Sequence, residues 1–474
     1  MNERPAAPHY VDDVIDKLRI AASSPPYQGN VYLVGGYLRD KQLGFPPGDD
    51  LDLVLEQDAV AFAYMLHDTG VSTHFPVTYP RFGTAMVHIA DSLGTLHQVE
   101  LVTARNESYL ESSRKPDVRA GTLRDDVFRR DFTVNTLLEN IHTGEVLDIT
   151  GCAFSDLTAR ILRTPLDPQV TFFDDPLRML RAVRFAAKLD FAVEAQTFYG
   201  MQRWAERLQS AAIADERIRD EFVKIVMLPG TRFAKGMRLL LQTGLLHQFM
   251  WDMEPMVGCA QGGWHVHDVW DHSLAAVEIL PNNAPLAVRL ATLWHDIGKP
   301  EVRTEDGNGI HFYGHAELGA EKVRTMMRRL HFSNDEIRDT VLLVALHMKP
   351  GQYTDEWSDA AIRRFMREQA GLRDQLLTVV QCDQGSMRLP QANRDRLKSL
   401  LRRVAEQQAA MDVEALNSPL DGREIMEILQ ITGGPLVAKA KNFLTDKVVD
   451  GVLNQQDKVG ARRLLNEWYD NYTG

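Results

Sequence analysis

The period of the hydrophobic pattern changes near residue 150, and that change limits the folds open to this chain. Before it, apolar residues come in short β-rich runs: VYLVGG (31–36), LDLVL (51–55), TAMVHIA (84–90) and HQVELVT (97–103), separated by Gly, Pro and Asp turns. After it they recur at helical spacing almost to the end, as in DPLRMLRAVRFAAKL (175–189) and IRDEFVKIVML (218–228). A side-chain period of 2 and one of about 3.6 cannot share an element. The pattern therefore predicts an α+β chain, a β-containing head on a long α-helical remainder. No low-complexity tract or fixed-period repeat interrupts it, and 474 residues suggest about three domains.

Composition excludes some classes and leaves one objection. Hydrophobic content of 44% and charged content of 25% rule out a collagen, a disordered tail or a mucin. Lys+Arg 53 against Asp+Glu 65 gives a net charge of -12, which weighs against nucleic acid as a partner. Basic residues nonetheless cluster locally. Arg388, Arg394, Arg396, Lys398, Arg402 and Arg403 face one acid, Asp395, and Arg160, Arg163, Arg178, Arg181, Arg184 and Lys188 form a second group. The total thus excludes indiscriminate polyanion binding better than it excludes a shaped RNA held by a few salt-sensitive phosphate contacts. Three cysteines (Cys152, Cys259, Cys382) with no CxxC fit a reducing cytosol and exclude a cysteine-rich zinc site. MNERPAAPHY has no apolar signal region, and VLLVAL (341–346) is far short of the ~20 residues that span a bilayer. A soluble cytoplasmic protein without a membrane partner is expected; its oligomeric state is open.

Two constellations carry chemistry. In LVGGYLRD (33–40), Gly35 and Gly36 sit between a strand and a helix, where backbone N–H groups can approach phosphate beside Arg39. Asp50 and Asp52 of DDLDLVL are spaced i, i+2 and on a strand would share a face. Paired carboxylates on an apolar strand repel unless a cation lies between them, and magnesium suits oxygen ligands. Glu100, on another expected strand, is a third candidate ligand, the alternative being an exposed strand residue. Paired carboxylates holding two metals suit in-line displacement at a nucleotide phosphate.

GGYLRD and DLDLVL, with RFGTAMV (81–87), RRDFTVNTL (129–137), FDDPLRMLRAVRFAAKL (173–189), ERIRDEF (216–222) and SPLDGREIMEILQITGGP (418–435), resemble class II tRNA nucleotidyltransferases. These CCA-adding enzymes share ancestry with bacterial poly(A) polymerases. The resemblance runs along nearly the whole chain. It implies a nucleotidyltransferase head (1–150), a helical neck binding nucleotide bases and tRNA (151–245), a body (246–390) and a tRNA-binding tail (391–474). It implies template-independent addition of C and A to the tRNA 3′ end from CTP and ATP, with Asp50 and Asp52 holding Mg2+. Gly35, Gly36 and Arg39 would handle the triphosphate, and Arg130, Asp131 and Asn135 the ribose and phosphates, Asp131 accepting from a 2′-OH.

Base choice has a chemical reading. Cytosine and adenine present an amino donor beside a ring-nitrogen acceptor; uracil and guanine present the reverse. A carboxylate only accepts and a guanidinium only donates, so an Asp–Arg pair suits C and A. On a continuous helix Asp174 and Asp175 would share a face with Arg178; the alternative is a plain helix salt bridge. Asp175, Arg178, Arg181 and Arg217 are the candidate base-cavity residues. RFGTAMV and the stretch 103–126 look like CCA-adding rather than poly(A) polymerase segments. A specialised CC-adding or A-adding enzyme, or a poly(A) polymerase, is the alternative.

The second constellation is histidine-rich: eight of the 15 histidines lie between His265 and His347. WHVHDVWDHSL (264–274), LWHDIGKP (293–300), GHAELGA (314–320), ALHMKP (345–350) and CDQGSM (382–387) place His and Asp on several helices, reading as a metal site in a helical core. The words resemble the HD domain of metal-dependent phosphohydrolases. By that resemblance His272, His295, Asp296 and Asp383 are ligands to a second divalent metal (Mg, Mn or Ni), with His315 and His347 as further candidates. Hydrolysis of 2′,3′-cyclic phosphates is the auxiliary activity it suggests.

Overall fold

A computed structural model describes residues 11–46, 48, 50–110, 113–211, 213–369, 371–410 and 416–473. The chain forms two units, Met1–Leu228 with Lys235–Trp251, and Pro229–Ala234 with Asp252–Gly474.

The first unit holds the sheet. Its strands are β1 (Val31–Val34), β2 (Leu51–Leu55), β3 (Val77–Tyr79), β4 (Thr84–Ala90) and β5 (Leu96–Thr103), a separate hairpin β6 (Arg105–Leu110) and β7 (Ser113–Ala120), and then β8 (Leu138–Asn140) and β9 (Val146–Leu147). The seven-stranded sheet runs β3-β4-β5-β2-β1-β8-β9. Only β2 and β5 pair parallel within it; its other neighbours are antiparallel. Every run expected to be a strand is one.

Alternation along the strands sorts the two faces. Leu51, Leu53 and Leu55 point with Val31, Leu33, Val99 and Leu101 into a core completed by the helices Val11–Ala21 and Ala59–Asp68. The second of these helices is capped by Asp58, whose side chain accepts from the N–H groups of Val60 and Ala61. The opposite face carries Tyr32, Val34, Val54 and Leu138 with Leu123 and Val127. Asp52, lying between Leu51 and Leu53, must also face that way. The β6–β7 hairpin occupies the stretch expected to resemble the loop of CCA-adding enzymes; Glu111 and Ser112 at its tip lie outside the described residues.

Beyond residue 150 helices dominate, with two exceptions. Ile161–Leu162 pairs parallel with Ala192–Val193, and Thr304–Asp306 with Gly309–His311 makes a small hairpin. One helical expectation fails. The segment 173–189 is two helices, Pro168–Asp174 and Leu177–Leu189, and Asp175 between them is extended at φ -138°, ψ 99°. Proline at position 176 disfavours the helical conformation of the residue before it. Asp175 instead lies between the helices, its Oδ1 accepting from Leu177 N, the first residue of the second, at 3.1 Å. Asp174 and Asp175 therefore do not share a helix face with Arg178.

In the second unit the helices Val269–Glu278, Leu286–Trp294, His315–Arg329, Asn334–Leu346 and Arg373–Gly385 surround the histidine section. The C-terminal helices Gly422–Leu429, Pro435–Val449 and Lys458–Thr473 share a small core of Ile425, Leu429, Leu444 and Leu465. Among the described residues no helix is long and apolar enough to cross a membrane. Leu53, fully buried between the central strands, makes the head core testable. Leu53→Ala should cost about 2–5 kcal/mol, read as an earlier denaturant transition of the first unit.

Candidate active site and metal centre

Strand register builds the first site. β1, β2 and β5 align so that Val34 lies opposite Asp52, and Asp52 opposite Glu100. Cross-strand partners stand about 5 Å apart on one face, so the register brings the Asp52 and Glu100 carboxylates side by side. Burial, and after it Glu100, pushes the Asp52 carboxyl up to about 6; Asp50 adds to the rise, while Arg130 and Arg181 oppose it. Asp50 is exposed and lies just before β2, not on it. Gly35 closes the site from β1. Its φ is +81°, and a Cβ there would stand 2.8 Å from Asp52 Oδ2, so only glycine fits.

Gly35, Gly36, Arg39, Asp50, Asp52, Arg130, Asp131, Asn135 and Arg181 line one cavity of about 400 Å³. Its donors are ordered by a polar chain. Arg39, 3% exposed, donates from Nη1 to Asn135 Oδ1 at 2.9 Å, and Asn135 Nδ2 donates to Asp131 Oδ1 at 3.0 Å. Arg181 donates to Asp131 Oδ2 through Nε at 2.9 Å and Nη2 at 2.6 Å. Phe132 N also donates to Asp131 Oδ1, so both oxygens of this carboxylate are engaged. Burial opposes its charge, but Arg181 and Asn135 hold it below the usual carboxylate range. Arg130 is fixed by Asp126 through Nε at 3.0 Å and Nη2 at 2.8 Å.

A second cavity, of about 420 Å³, shares Arg130, Asp131 and Arg181 with the first and adds Asp175, Arg178 and Arg217. Asp175 has an Arg partner there, but it is Arg217 at 3.5 Å. Arg178 is held in place by donating to the carbonyls of Arg129 at 2.7 Å and Thr171 at 3.3 Å. All four expected base-cavity residues thus meet, by tertiary packing and not by helical spacing.

Sequence reasoning left several residues out of the first site, Arg184, Phe185 and Lys188 among them, which line the same cavity. Phe185 lies 5.3, 5.5 and 4.2 Å from the guanidinium carbons of Arg39, Arg181 and Arg184. Burial, then Arg39, lowers the Lys188 ammonium. The signal was the i, i+3 and i+4 spacing of basic residues along 178–188, which had been read only as a basic cluster.

The histidine section assembles as a second centre. His272 lies on the helix Val269–Glu278, His295 and Asp296 follow Leu286–Trp294, His315 opens its helix, His347 follows Asn334–Leu346, and Asp383 lies near the end of Arg373–Gly385. The Nδ1 atoms of His295, His315 and His347 point at the carbonyls of Thr292, Phe312 and Val344 at 2.9, 2.8 and 2.7 Å. Their Nε2 atoms converge: His272 on His295 at 3.2 Å, His315 on His347 at 3.2 Å, and His272 on Asp383 Oδ1 at 3.0 Å. Asp296 joins both pairs, with Oδ2 3.2 Å from His295 Nε2 and Oδ1 3.4 Å from His315 Nε2. An imidazole whose Nδ1–H donates to a carbonyl offers a bare lone pair at Nε2. Opposed lone pairs need a cation between them, so two groups able to hold a metal, His272–His295–Asp296 and Asp296–His315–His347, share Asp296. Burial alone would lower His295, but Asp296 and Asp383 outweigh it and raise it to about 10. Lys299, in the same LWHDIGKP run, is a further member of the site that spacing does not single out; its Nζ lies 2.6 Å from Asp296 Oδ2.

The raised carboxyl of Asp52 fixes a sign. Between about pH 3.8 and 6 this carboxyl binds a proton in the folded protein that the unfolded chain has released, so its own contribution to stability falls as pH rises through that window. The lowered His265 and His347 contribute with the opposite sign there, so the check is a difference: in thermal melts of metal-free protein, the parent should lose stability relative to Asp52→Asn as pH rises from about 3.8 to 6.

Comparison with known proteins places this geometry. Residues 31–163 match the family model described as "Poly A polymerase head domain", and residues 265–383 match "HD domain". Residues 190–256 match "Probable RNA and SrmB- binding site of polymerase A". The chain is 33% identical over 362 residues to a CC-adding tRNA nucleotidyltransferase of Thermus thermophilus, covering 73% of this chain and 78% of the relative. It is 30% identical over 362 residues to an A-adding tRNA nucleotidyltransferase of Deinococcus radiodurans, covering 74% and 81%. The fold is similar to that of a Bacillus stearothermophilus CCA-adding enzyme in complex with CTP, with a TM-score of 0.68 at 20% identity over 98% of this chain and 99% of that one. With its carboxylate-bearing head, its helical continuation and its HD-type cluster, the chain belongs to the tRNA nucleotidyltransferase family.

Proposed function

We propose that this enzyme adds C and A to the 3′ end of tRNA from CTP and ATP without a template. The observation that carries this reading is the Asp52–Glu100 register, which sets Glu100 beside Asp52, itself lining with Asp50 a cation-rich cavity that shares residues with a second cavity bearing Asp and Arg side chains. Residues 1–150 act as the catalytic head, 151–245 as the neck that holds base and tRNA, 246–390 as the body and 391–474 as the tail that grips tRNA.

Asp50, Asp52 and Glu100 are an all-oxygen donor set, two of them mutually repelling on one sheet face, and they fit Mg2+. Bound there, magnesium would neutralise the charge that builds on the reacting phosphate. The chain's own groups do the rest. Backbone N–H groups at Gly35 and Gly36 with Arg39 and Lys188 hold the triphosphate, so that the tRNA 3′-hydroxyl can attack the α-phosphate in line with the departing pyrophosphate. Asn135 and Asp131, already bonded to Arg39 and Arg181, act chiefly by fixing those donors. Asp175 accepts from the amino group of C or A, and Arg178 or Arg217 donates to the ring nitrogen. Uracil and guanine would leave those groups unpaired, at about 1–3 kcal/mol each.

Similar identity to a CC-adding and an A-adding relative favours a specialised enzyme as the second reading. In the second unit the converging imidazoles fit a divalent metal (Mg, Mn or Ni), with auxiliary phosphoester hydrolysis as the activity such a site suits.

One assay tests the transfer reading. tRNA transcripts ending before the first terminal C, after it, after the second C, and complete are each given single NTPs with Mg2+. Two C additions and one A, then arrest, are expected. C addition alone or A addition alone supports the specialised reading, and a long A tail overturns both. Asp52→Ala should cut the rate at least about 100-fold with tRNA binding retained, and Asp175→Asn should relax discrimination against UTP by about 10-fold.

A further inference from the structure

Three arginines of the first unit converge on one phenyl ring. Arg181, Arg184 and Phe185 lie on the helix Leu177–Leu189, and Arg39 comes from the helix Gly36–Gln42 that follows β1. The guanidinium carbons of Arg184, Arg39 and Arg181 stand over the Phe185 ring at 4.2, 5.3 and 5.5 Å from its centroid. The three charges therefore lie within about 11 Å of one another, a separation at which partly buried like charges still repel. Phe185 is 6% exposed, and it lines the first cavity together with all three arginines.

Hydrogen bonds fix only part of this arrangement. Arg39 Nη1 donates to Asn135 Oδ1 at 2.9 Å, Arg181 Nε to Asp131 Oδ2 at 2.9 Å and Arg184 Nε to Glu221 Oε2 at 2.7 Å. Each of these bonds leaves through the edge of a planar guanidinium. The faces are left to the other neighbour, the ring. A phenyl face carries negative charge density and attracts a cation placed over it within about 6 Å. Burial alone does not call for this residue type, because leucine would also fill an apolar site and has no such face. The ring plane is itself held, since buried Phe132 meets Phe185 at 75° and 5.8 Å between centroids.

We propose that Phe185 is a positioning residue for the nucleotide's triphosphate, its ring holding the guanidiniums of Arg39, Arg181 and Arg184 side by side at the cavity before the substrate arrives. The assignment rests on the proposed reading of that cavity as the triphosphate site. Without the ring, cations that repel one another would spread, and each nucleotide that bound would have to gather them again. With it they stand preorganised. The ring accepts through its face, so guanidinium N–H groups not already committed stay available to phosphate oxygens. The role concerns phosphate and not base: Asp175, Arg178 and Arg217 line the second cavity, and Phe185 does not. CTP and ATP should feel it alike.

The test uses the full-length protein with Phe185 replaced in turn by mono-, di- and trifluorinated phenylalanine, which withdraw electron density from the ring face and keep its shape, and then Phe185→Leu. The readouts are KM and kcat for CTP and ATP in transfer to tRNA, and calorimetry of inorganic triphosphate. KM for both nucleotides is expected to rise stepwise with fluorination and to reach about 10-fold in Phe185→Leu, with kcat within about 3-fold of the parent. Triphosphate affinity should fall by the same factors, and discrimination against UTP should hold. A KM that stays flat along the fluorinated series, whether or not leucine raises it, would overturn the proposal, because packing would then be the ring's whole role. Loss of discrimination against UTP along the series would overturn it too. A parent that transfers no nucleotide, yet binds triphosphate less and less tightly along the series, would instead overturn the transfer reading and leave the role of the ring standing.

Discussion

Two carboxylates held in register on adjacent parallel strands set the terms for the whole head. The pairing of β2 with β5 puts Asp52 opposite Glu100, and strand alternation leaves neither free to turn to the other face without reversing the core. Leu51, Leu53 and Leu55 bury the back of β2, so the hydrophobic effect that stabilises the sheet also forces like charges together on its front. Burial first, and then the facing Glu100, hold the Asp52 carboxyl at about 6. Burial energy well in excess of the cost of one raised carboxyl makes such a charged pair tolerable, and a cation entering the cluster recovers that cost.

The surrounding groups are arranged around the same charge. Gly35, at positive φ, clears space for Asp52. The chain Arg39–Asn135–Asp131–Arg181 orders cations that would otherwise collapse on the carboxylates. Because Asp131 and Arg181 line both cavities, the two cavities belong to one polar network. In the second unit donor atoms converge likewise, with imidazole Nε2 atoms and carboxylates gathered around Asp296.

Much of this was legible along the chain because period is a local property. The strands, the carboxylates at positions 50 and 52, and the histidines gathered between 265 and 347 all follow from residue type and spacing. What was not legible depended on tertiary packing or on one conformational exception. Pro176 pushes Asp175 out of the helix, so a face drawn on an unbroken helix placed the wrong arginine beside it. The partner it finds, Arg217, is remote in sequence. The partners of Asp131 (Phe132 N, Asn135 and Arg181) are likewise disclosed only by the fold. The acidic total of -12 misled in the same way, because charge summed over a chain says nothing of where the cations face.

Burial, and after it Glu100, keep the Asp52 carboxyl partly protonated until a divalent cation enters. The most direct measurement is the proton count on Mg2+ binding at pH 6, obtained by calorimetry in buffers of different ionisation enthalpy. With the Asp52 carboxyl near 6, binding should release about half a proton from this group, and Asp52→Asn should abolish that release. Mg2+ binding with no proton released, or with the same release in the variant, would contradict the account.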